Sequence, residues 1–293
     1  MHRERPAVLF EHPLIRVQYS NNGLEWSKPM KHDRMDRAHN TGAANQAYNE
    51  ENAYNEREET MPEPPEPPEP SPAVDGNTAD TAKLMPQSET ITLGMGCFWS
   101  PEALFGHVPG VLRTRVGYAG GTTERPTYHE MGDHSETVEI EFDPNMVPLE
   151  QLLGLFWKYH KPVNINGYKG RQYWSLALYR SEEQRAAIER MKQRLEEEGG
   201  RRLDTEVAPC RSFYLAEARH QKYYLKRFPD AVAKLTELYG TEEQWVGTRL
   251  AARLNGLAKG YTSMGRIAEE ISRWPEEQAN KERLITAIRR IRW

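Results

Sequence analysis

Thr90-Ile91-Thr92-Leu93-Gly94-Met95-Gly96-Cys97-Phe98-Trp99-Ser100-Pro101-Glu102 changes its period in the middle. Through Leu93 polar and apolar residues alternate, as in a strand with two unlike faces, and Gly94 and Gly96 bring the run to a tight turn. From Ser100 the pattern turns helical. Pro101 suits a first helical turn, Glu102 favours its positive end, and Leu104 and Phe105 give an apolar side up to Pro109-Gly110. Cys97-Phe98-Trp99 therefore sits at a strand-to-helix junction. Working outward, Val111 to Tyr118 alternates as a second strand before Ala119-Gly120-Gly121, and Thr137 to Phe142, closed by Asp143-Pro144, is a third. Leu149, Leu152, Leu153 and Phe156 have helical spacing up to Tyr159. Trp174 to Tyr179 reads as a strand, and Ser181-Glu182-Glu183-Gln184 opens a long charged helix in capping-box fashion, ending at Gly199-Gly200. Thr205-Glu206-Val207 reads as a strand, the chain is helical again from about Leu215 to Phe228, and smaller helices run to about residue 257. This order predicts an α+β domain over 89–257 with helices packed on a mixed or antiparallel sheet, and a helical extension over 258–293; we expect the domain to be a two-layer ferredoxin-like α/β plait on a mixed sheet.

Upstream the composition differs. The chain has 293 residues, 39 Lys and Arg against 43 Asp and Glu, and a net charge of -4. Residues 1–88 hold 9 of the basic and 15 of the acidic residues, so the acidity belongs to the front and the rest is nearly neutral. Of the seven Phe and seven Trp, only Phe10 and Trp26 lie there, which leaves little area to bury. Met61-Pro62-Glu63-Pro64-Pro65-Glu66-Pro67-Pro68-Glu69-Pro70 removes backbone donors and repels itself, excluding helix and sheet. We expect a long disordered, Pro/Glu-rich segment over 1–88, with roughly 40–87 as linker. The alternating run Leu14 to Tyr19 reads as strand-like but without a pairing partner. The balanced charge argues against a sequence-independent nucleic-acid binder, and no apolar run reaches the roughly 20 residues that cross a bilayer. The expectation is a cytoplasmic monomer that binds neither nucleic acid nor membrane.

Two cysteines, Cys97 and Cys210, are too few for a disulfide scaffold or a four-cysteine zinc site, and no metal is expected. A cysteine just before a helix is chemically suggestive, because unsatisfied N–H groups and the helix dipole stabilise a thiolate; position alone also fits a buried structural cysteine. Gly96-Cys97-Phe98-Trp99-Ser100-Pro101-Glu102 is followed by Gly117-Tyr118-Ala119-Gly120-Gly121, Pro126-Thr127-Tyr128 and His134-Ser135-Glu136. Then come Phe156-Trp157 with His160, Gln172-Tyr173, Thr205-Glu206 and Phe213-Tyr214-Leu215-Ala216-Glu217 with His220-Gln221. This ordered set closely resembles peptide methionine sulfoxide reductase A from about Thr90 to Leu225, and Arg253-Leu254-Asn255-Gly256 fits the trailing region of some members.

The resemblance implies thiol-dependent reduction of the S epimer of methionine sulfoxide, free or in oxidised proteins, as repair of oxidative damage. It makes Cys97 the nucleophile, which becomes a sulfenic acid, and Glu136 the proton donor, useful only if desolvation keeps its proton near neutral pH. Tyr128 and Tyr173 match the family's two phenols, able to hydrogen-bond the sulfoxide oxygen as charge develops. Phe98 and Trp99 would form the apolar pocket for the S-methyl group. Without the resemblance, Tyr128 reads as a loop tyrosine, Glu136 as a solvated strand end, and Phe98 and Trp99 as core. Glu102 reads as a helix-start carboxylate with structural hydrogen bonds, and His134 as a surface histidine rather than a catalytic base.

The chain departs from the family pattern in three places. Met131-Gly132-Asp133 is a short connection, the family's aspartate falls near Tyr168, and Trp174 stands where an arginine is common. Regeneration of the sulfenic acid needs a second thiol. Cys210, in Ala208-Pro209-Cys210-Arg211-Ser212, is the candidate resolving thiol, provided its Cα comes within roughly 4.4 to 6.8 Å of that of Cys97. Otherwise thioredoxin, glutaredoxin or a small thiol attacks Cys97 directly, and no bound cofactor is expected. Two other functions fit a reactive cysteine in this context: a hydrolase pairing Cys97 with His134, or a non-catalytic interaction protein that keeps the fold.

Overall fold

The structure is a computed structural model. It describes residues 88–162 and 170–293 in full and, before them, three short strands. The chain divides into two compact units, Met1–Asn77 and Thr78–Trp293. In the first, β1 (Glu11–His12), β2 (Ile15–Ser20) and β3 (Gly23–Trp26) form an antiparallel sheet in that order, with Val17 opposite Trp26 and Ser20 opposite Gly23. The alternating run thus has a partner, separated from it in sequence by Asn21-Asn22, a pair of turn-forming residue types. The linker expected over 40–87, including the Pro/Glu stretch, lies outside the described residues.

The second unit is α+β. In chain order it runs β4 (Glu89–Met95), α1 (Trp99–Gly106), β5 (Val111–Ala119), β6 (Ser135–Phe142), α2 (Leu149–Tyr159), β7 (Ser175–Tyr179), α3 (Glu182–Gly199), β8 (Glu206–Pro209) and β9 (Phe213–Leu215). The six strands form one sheet in the order β8-β7-β4-β6-β5-β9. The sheet is mixed, as expected: β7 and β8 are parallel and every other pair is antiparallel. Ile91, Leu93, Val138 and Ile140 point to one face, where Phe105, Leu152, Phe156 and Ile188 of α1, α2 and α3 cover them. Burying each such side chain contributes on the order of 1.5 to 3 kcal/mol. On the opposite face Glu139 accepts hydrogen bonds from Arg115 and Arg180, and Arg180 also donates to Thr92 Oγ1 at 2.9 Å.

Three expectations about local structure change. Glu136 is the second residue of β6, not the residue before it, because pairing with β5 extends to Ser135 opposite Ala119. Leu215 ends β9 rather than opening a helix; Phe213-Tyr214-Leu215 is too short for a visible period and owes its shape to pairing with Gly117–Ala119. That edge pairing needs Gly117, where a Cβ would sit 2.3 Å from the Tyr214 carbonyl oxygen. At Ser181 only half of the capping box forms. Its side chain accepts from the Gln184 N–H at 3.2 Å, while the Gln184 side chain turns to the backbone of Arg180 and Thr90.

After a 3-10 turn (Ala218–His220) come α4 (Tyr223–Lys226), α5 (Pro229–Tyr239), α6 (Glu242–Val246), α7 (Arg249–Ala258), α8 (Met264–Ser272) and α9 (Gln278–Arg289). They build a second core in which Leu235, Trp245 and Leu254 pack with Ile267, Ile271 and Ile288, so helices on both sides of residue 257 share it. Arg253, buried, donates to the carbonyls of Gly106 and Val111 and pairs with Glu270, fastening α7 to the end of α1. The crossing is close enough that a Cβ on Gly106 would lie 2.7 Å from the Ala252 carbonyl oxygen. Among the described residues no helix is long and apolar enough to span a membrane, and no group of three or more His, Cys, Asp or Glu is placed to hold a metal ion.

Candidate active site

The register places several sequence-predicted residues at one end of the sheet. Met95, last in β4, lies opposite Ser175, first in β7, and Ala119, last in β5, lies opposite Ser135, first in β6. The turn carrying Cys97, the start of β6 with Glu136, and the turn carrying Tyr173 therefore meet there. Gly96 opens the first of these with φ +82°, a conformation that costs glycine little, and Cys97 emerges exposed, separated from α1 only by Phe98. Neither cysteine is in a disulfide.

Glu136 is buried and tied to the other two segments. Its Oε2 accepts the Phe98 N–H at 3.0 Å, which puts the carboxyl one peptide unit from Cys97. Its Oε1 accepts from Gln172 Nε2 at 2.7 Å, and its own N–H donates to the Gln172 carbonyl at 2.8 Å. Tyr173 follows directly. The solvated strand end expected of Glu136 from sequence alone is thus replaced by a carboxyl withdrawn from water.

Phe98 and Trp99 are both buried against an aromatic cluster. The Trp99 ring stacks on Tyr223 with centroids 3.7 Å apart, and its Nε1–H donates to His220 Nδ1 at 3.3 Å. Phe98 lies 5.4 Å from the His220 ring and 6.1 Å from that of Tyr118. The Tyr128 ring, from the irregular loop between β5 and β6, lies with its centroid 4.8 Å from that of His220. Burial, the largest influence, and the neighbouring Arg219 push His220 down to about 4, so it is neutral at physiological pH. This wall of rings is suited to a thioether methyl group.

His134 does not reach Cys97. It is buried, accepts from the Gly121 N–H through Nδ1 at 3.1 Å and bonds the Thr123 carbonyl through Nε2 at 2.8 Å, so both ring nitrogens are used in shaping the loop. That corrects the surface reading and removes the base that a Cys/His hydrolase would need. Asp133 completes the short connection by accepting from the backbone and hydroxyls of Thr122 and Thr123, bonds that hold its carboxyl below the usual carboxylate range. Glu102 is structural, as expected. Fully buried, it accepts from the Lys222 backbone at 2.7 Å and from Lys222 Nζ at 2.6 Å.

Cys210 is placed elsewhere. Its Sγ lies 3.7 Å from Thr92 Oγ1, at the middle of β4, and the strand continues extended for three more residues, roughly 10 Å, before the turn that carries Cys97. The structure does not bring the two thiols together. Tyr168, where the family's aspartate was expected, lies outside the described residues. Trp174, in place of the arginine, carries the guanidinium of Arg171 over its ring at 4.4 Å, and Arg171 pairs with Glu206 at 3.0 Å. Sequence reasoning gave no role to Gln172, Tyr118, Glu217 or His220. They stand in the quoted motifs, but their contacts join segments distant in sequence.

The family model described as peptide methionine sulfoxide reductase matches residues 89–244, more than half of the chain. A peptide methionine sulfoxide reductase of Drosophila melanogaster is 45% identical over 174 residues, covering 57% of this chain and 69% of the relative. Peptide methionine sulfoxide reductase MsrA of Methanothermobacter thermautotrophicus is 42% identical over 162 residues, covering 52% of this chain and 95% of the relative. Among solved structures, methionine sulfoxide reductase A of Corynebacterium diphtheriae aligns with a TM-score of 0.43 at 33% identity, covering 52% of this chain and 81% of that one.

Proposed function

The chain belongs to the peptide methionine sulfoxide reductase family and is an oxidoreductase acting on methionine sulfoxide; from that premise we propose how its own residues carry out the reaction. The substrate is the S epimer, free or within an oxidised protein, and its S-methyl group lies against Phe98 and Trp99. The Cys97 thiolate attacks the sulfoxide sulfur, and Glu136 gives a proton to the oxygen as negative charge accumulates there. Tyr128 and Tyr173 hydrogen-bond that oxygen, and the bonds strengthen as the charge grows. The oxygen passes to Cys97, the methionine is reduced by two electrons, and Cys97 is oxidised by two to a sulfenic acid. A thiol then displaces water from that acid to give a disulfide, and a second thiol reduces it.

The observation that carries this reading is the buried Glu136 carboxyl held 3.0 Å from the Phe98 N–H, next to an exposed Cys97 that precedes a helix. With Cys210 beside Thr92, the second thiol comes from outside, from a thioredoxin-like dithiol or a small thiol. Reliance on such a reductant fits a reducing compartment such as the cytoplasm, and the protein acts there as a monomer in the repair of oxidised proteins. We also read the core as a ferredoxin-like plait; the order strand, helix, strand, strand, helix, strand, with the fourth, first, third and second strands adjacent, supports this. The test is a chiral assay with dithiothreitol. Consumption of the S epimer alone, abolished in Cys97→Ser, is expected, and an active Cys97→Ser overturns the reading.

A further inference from the structure

Tyr128 belongs to a stretch without regular secondary structure, from Gly120 to His134, so no ladder of backbone hydrogen bonds fixes it. A phenol that must meet a developing oxyanion needs its position set before the substrate arrives. A carboxylate outside the loop contributes to this, beside the ring contacts of Tyr128 with His220 and Arg219. Glu217, just after the edge strand Phe213–Leu215, accepts the Tyr128 backbone N–H on Oε1 at 3.0 Å and the Tyr118 hydroxyl on Oε2 at 2.6 Å. Tyr118 is buried in β5, and its ring lies 6.1 Å from Phe98. The carboxylate thus ties the loop tyrosine to the rigid sheet on which the methyl pocket is built. Bonds from a carboxylate to two donors are charge-assisted and stronger than neutral ones.

We propose that Glu217 is a positioning residue for sulfoxide reduction, acting through Tyr128 rather than touching the substrate. Its ionisation state agrees. Burial, the largest single influence, favours the neutral acid, yet the bonds from Tyr118 and the Tyr128 N–H, together with the Glu217 backbone and His220, outweigh it and hold the carboxyl below its ordinary value. The inference rests on the role given to Tyr128 above, and the experiment separates the two.

The kcat and KM for the S epimer are measured for the full chain, Glu217→Ala, Glu217→Gln, Tyr128→Phe and the Glu217→Ala/Tyr128→Phe double variant, with the rate of Cys97 alkylation by iodoacetamide in each. Glu217→Ala should lower kcat about tenfold, in line with loss of general positioning, and leave the alkylation rate within twofold. Glu217→Gln should recover much of the loss, since the amide oxygen can accept from Tyr128 while its N–H donates to the Tyr118 oxygen. In the Tyr128→Phe background, Glu217→Ala should cost less than about twofold more, because the group it positions is already gone. Fully additive losses overturn the proposal, and so does an alkylation rate that falls in parallel with kcat, which marks a general disturbance of the site. A Tyr128→Phe variant as fast as the parent overturns the role of Tyr128 itself, and with it that of Glu217. Should Glu217→Ala fail to fold, Glu217→Asp keeps the charge but is too short to reach both donors, and is expected to lower kcat severalfold.

Discussion

Cys97 and Cys210 are the same residue type on the same sheet, in opposite circumstances. Cys97 stands exposed past the end of β4, before a helix, with a buried carboxyl one peptide unit away. Cys210 follows β8, half-buried against Leu176, Leu178 and Phe213, with its Sγ near Thr92 Oγ1 and the Ser212 carbonyl. Placement beyond the end of a strand exposes a thiol to substrate and to the start of a helix. Placement along a face makes it packing. The difference teaches that the second thiol of a redox pair cannot be assigned by counting cysteines.

The sharpest way to break the contrast is to substitute the exposed thiol. Cys97→Ser removes the nucleophile, and turnover of methionine S-sulfoxide should fall by about 10⁴-fold or more, as for other deleted nucleophiles. Single-turnover assays with dithiothreitol measure it. The next largest effect is on what holds the helix behind Cys97. Lys222, fully buried and left-handed with φ 54°, donates Nζ to Glu102 of α1 and to the Thr114 carbonyl at 2.8 Å. Lys222→Met leaves the Glu102 carboxyl buried without its cation, and should cost about 3 to 5 kcal/mol of stability by chemical denaturation. Glu102→Gln in the Lys222→Met background should restore part of it.

The sheet and its helices were largely legible in the sequence, because each strand from Glu89 to Tyr179 has its own period and each helix its own punctuation. Leu149–Tyr159 falls where its spacing puts it. The motifs singled out Cys97 and Glu136, which the fold brings to one end of the sheet. The supports of the site were not legible, since Glu136 to Gln172, Trp99 to His220 and Glu102 to Lys222 are contacts between segments 36, 121 and 120 residues apart. No local pattern encodes such pairings. Leu215, expected to open a helix, instead ends the edge strand Phe213–Leu215, since three residues carry too little pattern of their own.

Titration gives a third, smaller way to separate the regions. His220 touches Phe98, Trp99 and Tyr128 in the surroundings of Cys97, and burial, together with Arg219, lowers it from 6.5 to about 4. The unfolded chain therefore takes up this proton at higher pH than the folded one. The stabilisation is whole above about pH 6.5 and is lost as pH falls toward 4, on the order of 3 kcal/mol for a 2.5-unit difference. Urea midpoints at pH 7.5 and 4.5 should differ less in His220→Gln than in the parent, and an unchanged difference would mean the histidine is not shielded.

The smallest effect is expected at Cys210, and it is the one that most directly tests the contrast between the thiols. If Cys210 were drawn to Cys97 during turnover, its loss would slow regeneration of the enzyme. The geometry argues otherwise: the backbone N–H of Cys210 donates to the Tyr179 carbonyl at 2.8 Å, continuing the β7–β8 pairing, and Thr92 lies midway along β4. Moving it to Cys97 would strip that edge of the sheet. Cys210→Ser exchanges a thiol for a hydroxyl that can still bond Thr92, and should change stability by less than about 1 kcal/mol and turnover with dithiothreitol by less than about twofold. The decisive measurement is thiol counting after one equivalent of methionine sulfoxide in the absence of reductant. Retention of the Cys210 thiol alongside an oxidised Cys97 places the second thiol outside the chain, whereas loss of both in a Cys97–Cys210 disulfide would show that the β8 edge opens during the reaction.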